Sequence, residues 1–534
     1  MKQPGSLNDM SRRPGQPLAQ VAPLDQVPLP PPFDSLDDEP SIRALSEQAR
    51  ASYVTLDDTI AVSIERPQTA DEEQALVSAF LSGLEKLFSV PDNWTFLQPL
   101  EMSIEHCAHC QTCSEACHIF EESGHNELYR PTYRSEILRR IYFKYVKQAS
   151  PLVHGDIDLN WETVARLIEL AYRCNLCRRC AQTCPIGVDN ALLSREIRKI
   201  ASQEMGIAPR ELHRDGSVLQ LAVGSSTGMT PLVVKDNIEF IDEDTAERTG
   251  ISIKTPWDVV GADILLIHNA GEVMSWPENP GAFATIFTAA GLSWTMSSEI
   301  AAFDAINYGV WYDDIQFARV AVHHAAAARR LGVRKIVIGE CGHAHKALTV
   351  VADRVLTGDL NIPRESALVV LRDIVRSGKV AFDAGRNDFP VTLHDPCNMV
   401  RLMGLVSPQR EIIGAVVPEA RFREMAPHGV DNYCCGGGSG FAIMSGHNFA
   451  DWRHHLTGRR KFRQILEAFA GEPMTQEQPK YVCAPCSNCK GQIRDIIAYY
   501  DAWERAGIYY GGLVELMVNA MVDARPGFID WEWH

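Results

Sequence analysis

The sequence predicts a multidomain protein of the α+α/β class, in which a helical region precedes a duplicated α/β region. Apolar residues recur at helical spacing through about residue 206, whereas short apolar strands alternate with helices such as Asp314–Leu331 from about residue 259 onward. The 534 residues are enough for about three or four domains. The predicted strands are Asp263–His268, Lys335–Gly339, Val391–His394 and Tyr481–Cys483.

Local helix signals define the first region. Thr69 and Glu72 form a capping-box pattern ahead of a helix over about residues 70–88. Asn160 is a predicted N-cap, and a further helix is expected over 191–205. The predicted segments are a disordered, proline-rich arm (1–40), a helical N-terminal segment (41–100), a helical domain (101–206), a connector (207–258), a first α/β half (259–375) and a second α/β half with an acidic, aromatic tail (376–534).

Charge and apolar content disfavour several classes of partner. Lys and Arg total 51 against 68 Asp and Glu, a net charge of −17, which disfavours nucleic acid and anionic lipid. No apolar run reaches the roughly 18 residues that a membrane-spanning helix needs. Arg12 and Arg13 are followed by Pro-Gly-Gln-Pro instead of the apolar stretch of a twin-arginine signal. We therefore expect a cytoplasmic protein that reaches a membrane only through a partner subunit.

Nucleotide cofactors are not expected. No G-x-G-x-x-G fingerprint follows a predicted strand, and the sequence has no P-loop. The glycine-rich run at 436–440 follows cysteines, which makes it a weak phosphate cradle. The sequence thus predicts no NAD, flavin or nucleotide.

Eight of the fifteen cysteines form two C-x2-C-x2-C-x3-C runs. This spacing lets three thiolates bind one [4Fe–4S] cluster while the fourth reaches the neighbouring cluster. Two zinc sites are the alternative, but zinc ribbons use pairs of C-x2-C rather than triplets with a distal fourth cysteine. The sequence predicts two cubane clusters, one held by Cys107, Cys110, Cys113 and Cys184, the other by Cys174, Cys177, Cys180 and Cys117.

A second cysteine constellation lies in the C-terminal region. Cys397 follows His-Asp-Pro, the Cys434–Cys435 pair precedes three glycines, and Cys483 and Cys486 enclose Ala-Pro. The glycines permit the sharp turn that two adjacent thiols need to face one metal. Cys489 is either a sixth ligand or a bystander. Five converging thiols exceed the needs of a cubane cluster.

The spacing of these cysteines resembles the CCG domain found in the B and D subunits of heterodisulfide reductases. Because a two-cluster ferredoxin domain precedes it in the same chain, the resemblance is to the D-subunit type, and within that type to the K subunits of Dsr sulfur-metabolism complexes. The 47 residues between Cys435 and Cys483 exceed the expected spacing. The resemblance implies a noncubane [4Fe–4S] cluster with catalytic ligands at Cys397, Cys434, Cys435, Cys483 and Cys486.

The same resemblance implies a function and partners. The third cluster would reduce a disulfide or trisulfide of a small sulfur-carrier protein of the DsrC type, or oxidise its thiols. A membrane cytochrome b subunit of the DsrM type would exchange the electrons with quinone. The alternative is an electron-transfer subunit of a flavin dehydrogenase of the glycolate or glycerol-3-phosphate type, where CCG domains also occur. The complete set of five cysteines favours the disulfide oxidoreductase.

A faint internal repeat supports a duplicated CCG domain. Leu266–Gly271 is similar to Thr392–Cys397, and Cys341–Ala344 matches Cys483–Cys486. The first half is therefore expected to be a degenerate copy that keeps only Cys341.

Two further site residues lie in this degenerate half. Cys341 is either a redox-active thiol facing the cluster or a buried relic of the repeat. His343 and its neighbour His345 are candidate proton donors, because disulfide reduction consumes protons, or else structural histidines. His394, at the end of a predicted strand, has the same two interpretations.

Overall fold

The computed structural model describes residues 26–35, 39–40, 67–93, 96–299, 302–444 and 452–531, and it confirms the predicted α+α/β class. A helical domain holds the two cysteine runs, and two small parallel sheets follow. Among the described residues, no helix is long and apolar enough to cross a membrane. The helices of eight or more residues are α1 Ala70–Leu87, α2 Leu97–Glu105, α3 Pro131–Ile141, α4 Trp161–Tyr172, α5 Asn190–Met205, α6 Pro231–Thr249, α7 Glu278–Ala289, α8 Asp314–Leu331, α9 Ala367–Ser377, α10 Ser407–Val416, α11 Arg459–Ala468, α12 Ser487–Tyr499 and α13 Leu513–Ala520.

The predicted caps start the helices of the ferredoxin region. Thr69 and Glu72 form the capping box of α1, and the Asn160 side chain accepts the Thr163 N–H at 2.9 Å to begin α4. Helix α5 packs against α1 and α4, and their apolar faces form one continuous core. Helix α6 lies within the segment predicted as a connector. These helices surround and position the loops that carry the cysteines.

The two α/β halves have the same topology. Each contains one four-stranded, all-parallel sheet, with the orders β2-β1-β3-β4 and β6-β5-β7-β8. This equivalence confirms the duplication predicted from the repeat. The strands are β1 Ile264–Ile267, β2 Trp294–Thr295, β3 Lys335–Ile338, β4 Arg364–Ser366, β5 Val391–Leu393, β6 Phe422–Arg423, β7 Lys480–Cys483 and β8 Ile508–Gly511.

The strand register corrects the alignment of the two halves. Ile338 lies opposite the last residue of β1, and Cys483 lies opposite the last residue of β5. Cys341 is therefore equivalent to Cys486, three residues beyond the match predicted from the sequence. Both residues are extended N-caps of the helices that follow β3 and β7. The two short strands carried too little sequence similarity to fix the register by themselves.

A buried carboxylate joins the halves. Glu340, just after β3, accepts the N–H groups of Leu513 and Val514 at 2.9 and 3.2 Å, at the start of α13 in the other half. Its second oxygen accepts the Asn279 amide at 2.9 Å. Burial raises the pKa of Glu340 to about 8, although Lys490 favours its charged form. The interface thus satisfies the first N–H groups of α13 with a side chain from the other half.

Residues 26–35 pack on the second α/β half. The Phe33 ring is buried and lies edge-on to Phe462 of α11, with the ring centroids 5.0 Å apart. This differs from the disordered arm predicted over 1–40, of which residues 1–25 and 36–38 lie outside the described part. The segment has too little apolar content to fold alone, but it adds its aromatic side chain to a core that α11 already provides.

The aromatic tail also packs on this half. Trp531 lies 4.8 Å from Phe389 and 6.3 Å from Tyr481, measured between ring centroids. Phe528 is buried under the guanidinium of Arg248. The described residues of the tail therefore pack on the chain's own surface.

Candidate metal centres

The first predicted thiol set surrounds one hollow of the ferredoxin domain. The loop of the first run turns through left-handed residues at His109 (φ 53°) and Gln111 (φ 66°), which wraps its cysteines around the hollow. Cys184 arrives from the second run, and its sulfur accepts the Val188 N–H at 3.2 Å. The structure thus brings together Cys107, Cys110, Cys113 and Cys184.

The second predicted set is built by the same loop geometry. Leu176 (φ 51°) and Arg178 (φ 62°) are left-handed at the positions equivalent to those of the first loop. The charges of the four thiols act on one another, and burial raises the pKa of Cys117 to about 12, with smaller contributions from two neighbouring thiols. The members of this set are Cys174, Cys177, Cys180 and Cys117.

Both sets fit the donor chemistry of an iron–sulfur cluster. Each offers four thiols, the soft anionic ligands that iron–sulfur clusters require. In the second set, Arg134 and the Leu176 N–H each donate to the Cys174 sulfur at 3.4 Å. Hydrogen bonds to ligand sulfurs are one of the features that set the reduction potential of such a cluster.

Five thiols of the C-terminal region form a third group. Cys434 contacts Cys397 and Cys435, and Cys435 contacts Cys489, which in turn contacts Cys486. Four of the five are buried, and Cys397 is the partly exposed member. These contacts bring together five thiols from three distant stretches of the sequence. That donor set fits an iron–sulfur cluster with more thiol ligands than the four of a cubane cluster.

Cys483 lies outside this group. It is the last residue of β7, and its side chain packs in the core between the two sheets, next to Leu393. Cys486 instead caps α12 and Cys489 follows one turn later, so both face the same side of that helix. The sequence prediction that paired Cys483 with Cys486 therefore differs from the structure, in which Cys486 is paired with Cys489.

The turn after the cysteine pair requires glycine. Gly436 has φ +95°, and a Cβ added there would lie 2.5 Å from the Gly458 nitrogen and 2.6 Å from the Thr457 carbonyl carbon. Both contacts are to backbone that cannot move away. The Gly436 N–H points back to the Cys434 sulfur at 3.4 Å.

We expect Gly436→Ala to lower the free energy of unfolding by about 2–4 kcal/mol, because it combines a left-handed alanine with a backbone clash. The displaced turn should also reduce metal binding at the third thiol group. Chemical denaturation and iron analysis measure the two effects. Gly414→Ala, in helix α10 with open space around it, is the matched control. Equal stability of the two variants would contradict this account of the turn.

The third group adjoins the second thiol set. Cys434 contacts Cys177 directly. The Asn175 side chain donates to the Gly436 carbonyl at 2.8 Å, and Arg401 donates to the Cys177 carbonyl at 2.9 Å. These bonds hold the ferredoxin domain against the CCG turn. Clusters bound at the two groups would be immediate neighbours.

Comparisons with known proteins agree with this arrangement. The 4Fe–4S dicluster domain family matches residues 103–188, and the cysteine-rich (CCG) domain family matches residues 391–494. An Hdr-like menaquinol oxidoreductase iron–sulfur subunit 2 of Archaeoglobus fulgidus is 25% identical, over 89% of this chain and 90% of the relative. The D subunit of the dihydromethanophenazine:CoB–CoM heterodisulfide reductase of Methanosarcina acetivorans is 24% identical, over 64% of this chain and 79% of the relative.

These similarities support a CCG-domain iron–sulfur protein of the heterodisulfide reductase D-subunit type. A similar iron–sulfur subunit of Archaeoglobus profundus is 23% identical, over 82% of this chain and 84% of the relative. The matched families establish that this heterodisulfide reductase-like protein binds [4Fe–4S] clusters.

The degenerate half of this heterodisulfide reductase-like protein places Cys341 beside the third group. The Gly342 N–H donates to the Cys486 sulfur at 3.2 Å, and the Ser487 hydroxyl contacts the Cys341 thiol. Burial, together with the negative charge of Cys486, raises the pKa of Cys341. Cys341 is therefore a buried thiol at the junction of the two halves.

His343, a predicted proton donor, has a different environment. Its Nε2 accepts the Asn307 N–H at 3.0 Å, and its ring lies 4.2 Å from Trp311, measured between centroids. Burial lowers the pKa of His343 to about 3, so the ring is neutral. Neither of these two contacts of the His343 ring involves a cysteine. His345 bonds the Cys341 carbonyl and the Ser366 hydroxyl, as a structural histidine does.

His394 and Lys461 are the polar residues at the third group. The ligand atoms of His394, Cys435 and Cys489 all lie within 4.8 Å of one another. The Lys461 side chain is buried on α11, and burial lowers its pKa to about 7. The negative charges of Cys434 and Cys435 favour its ammonium form. Lys461 was missed because it lies in the insert between the cysteines. The sequence signal for it is a lysine four residues before Ile465, on the buried face of helix α11.

Proposed function

We propose that this protein passes electrons through two cubane clusters to or from a third, noncubane cluster at the CCG site. There it reduces a disulfide or trisulfide, or oxidises the corresponding thiols, of a small sulfur-carrier protein of the DsrC type. The observation that carries this proposal is the convergence of five thiols, one partly exposed, directly beside Cys177 of the second set.

The net reaction uses both electrons and protons. Reduction of a disulfide takes two electrons and two protons and breaks the S–S bond to give two thiols. A bound four-iron cluster supplies single-electron transfers and a surface that binds sulfur. The chain itself shields the site from water with buried residues, while His394 lies within reach to hold a proton near Cys435.

The names of the relatives suggest the surrounding assembly. Relatives of this chain are iron–sulfur subunits of menaquinol oxidoreductases. We propose that this protein likewise serves as a cytoplasmic subunit of a quinone-linked membrane complex, attached peripherally through a cytochrome b subunit of the DsrM type. Its electrons would enter or leave at the first thiol set, where Cys110 is exposed.

Anaerobic purification with iron analysis and EPR tests the proposal. Three four-iron clusters predict about twelve iron atoms per chain and a new paramagnetic signal after oxidation with thiol present. Cys434→Ser should keep about eight irons and both cubane signals but lose disulfide turnover. The retained cubane signals serve as the internal control for folding. Unimpaired turnover by Cys434→Ser, or only about eight irons in the native protein, would reject the catalytic site in favour of an electron-transfer subunit of a flavin dehydrogenase.

A further inference from the structure

A cavity of about 200 Å³ opens between the ferredoxin domain and the degenerate half. Its wall includes helix α2, the loops after Cys177 and Cys184, and the turn that follows His345. Most of the lining is apolar, and four basic side chains also reach it. The apolar lining includes Phe96, Met102, Leu176, Leu192, Val350 and Leu402, and the basic residues are Arg178, Arg195, Lys346 and Arg354.

Two helical segments connect the cavity wall to the third thiol group. Leu402 ends the short helix that begins at Cys397, the partly exposed member of the group. Gly342 and Lys346 lie one turn apart on a continuous helical segment. A Cβ added at Gly342 would lie 3.2 Å from the Cys486 sulfur, so this segment packs against the third thiol group at Cys486. From this segment the Lys346 side chain reaches the cavity, where the negative charge of Cys397 favours its ammonium form.

Two of the four cations of this cavity pair with carboxylates, and the Arg354 guanidinium lies 5.0 Å from the centroid of the Phe96 ring. Arg178 pairs with Asp189 at 2.7 Å, and Arg195 pairs with Asp314 and with Glu196. The Lys346 ammonium group makes no hydrogen bond or ion pair with any of the described residues. Burial lowers its pKa to about 8, while the charges of Asp189 and Cys397 favour the ammonium form. An anion entering the cavity would therefore meet an ammonium group that forms no ion pair with a described residue, beside an apolar wall.

We propose that this cavity, the Lys346 pocket, binds the anionic end of an amphipathic thiol or disulfide and directs its sulfur toward Cys397. The proposal rests on the proposed function and adds the class of substrate. The apolar wall would take the stem of the ligand, and Lys346 would hold its carboxylate. Both the carboxyl terminus of a peptide arm that ends in cysteine and a small anionic thiol present this chemistry.

Titration calorimetry on the anaerobic holoprotein tests the pocket without turnover. The probes are 3-mercaptopropionate and its neutral methyl ester. One charge-assisted hydrogen bond predicts that the acid binds about tenfold or more tighter than the ester. Lys346→Gln should lose this preference and Lys346→Arg should restore most of it, whereas Lys379→Gln, at an exposed position, is the matched control. An unchanged preference in Lys346→Gln would overturn the proposal.

Kinetics with two disulfides separates this proposal from the proposed function. Lys346→Gln should raise the KM for 3,3′-dithiodipropionate but leave the KM for bis(2-hydroxyethyl) disulfide unchanged. No turnover of either disulfide by the native protein would count against the proposed function. The calorimetric preference for the acid over the ester would still show whether the Lys346 pocket binds a carboxylate. Equal rises in both KM values would overturn the role of Lys346. A peptide ending in cysteine, as free acid and as amide, then distinguishes a protein arm from a small thiol.

Discussion

Cys489→Ser is expected to remove the iron of the third site, whereas Cys483→Ser is expected to retain it. Cys489 contacts Cys435 and Cys486 within the thiol group, and serine offers iron a poor substitute for the soft thiolate. Cys483 lies only three residues upstream of Cys486, but its side chain points into the core between the sheets. The two variants therefore make the same chemical change at two cysteines close in sequence, one in the core at the end of β7 and one in the thiol group on α12.

Iron analysis and thermal unfolding separate the two outcomes. Cys489→Ser should lose about four irons, while both cubane signals persist in EPR. Cys483→Ser should keep the iron and lose about 1–3 kcal/mol of stability, because a hydroxyl replaces a buried thiol in an apolar core. Loss of iron in Cys483→Ser and its retention in Cys489→Ser would reverse the ligand assignment.

Cys117→Ser should remove the cluster of the second run, and Cys184→Ser the cluster of the first. Each residue is the fourth cysteine of its own run, but the fold places it with the three cysteines of the other run. Cys117→Ser therefore breaks the link between the exposed first cluster and the CCG site, and turnover driven by an electron donor should fall to background. This is the largest loss of activity expected from a substitution outside the CCG domain.

The matched pair of variants distinguishes which cluster is lost. EPR of the reduced protein should show one isolated cluster in each variant instead of two interacting clusters. A reductant that delivers electrons to the second cluster should restore turnover in Cys184→Ser but not in Cys117→Ser, because the second set contacts Cys434. Loss of the first cluster in Cys117→Ser would contradict the crossed assignment.

Features set by short stretches of sequence were predicted well. The caps of α1 and α4, the helix Asp314–Leu331 and the strands β1, β3, β5 and β7 follow from local propensity and periodicity, and each is predicted within a few residues. The short strands β2, β4, β6 and β8 were not predicted. The two cubane thiol sets depend on fixed spacings within loops, and the structure brings together the sets that these spacings indicate.

Features that depend on a strand end or on long-range packing were not predicted. Whether Cys483 or Cys489 joins the thiol group depends on the residue at which β7 ends, and a shift of one residue reverses the direction of a side chain. Lys461 reaches the site from an insert, and Phe33 depends on a core formed by α11. Such contacts bring together residues far apart in sequence, which periodicity does not detect.

The most direct test of the central claim is an iron-edge anomalous difference map from anaerobically grown crystals. The account predicts three iron sites, with the third bounded by Cys397, Cys434, Cys435, Cys486 and Cys489 and adjacent to the site at Cys177. A map with iron only in the ferredoxin domain, or with zinc at the CCG thiols, would contradict it.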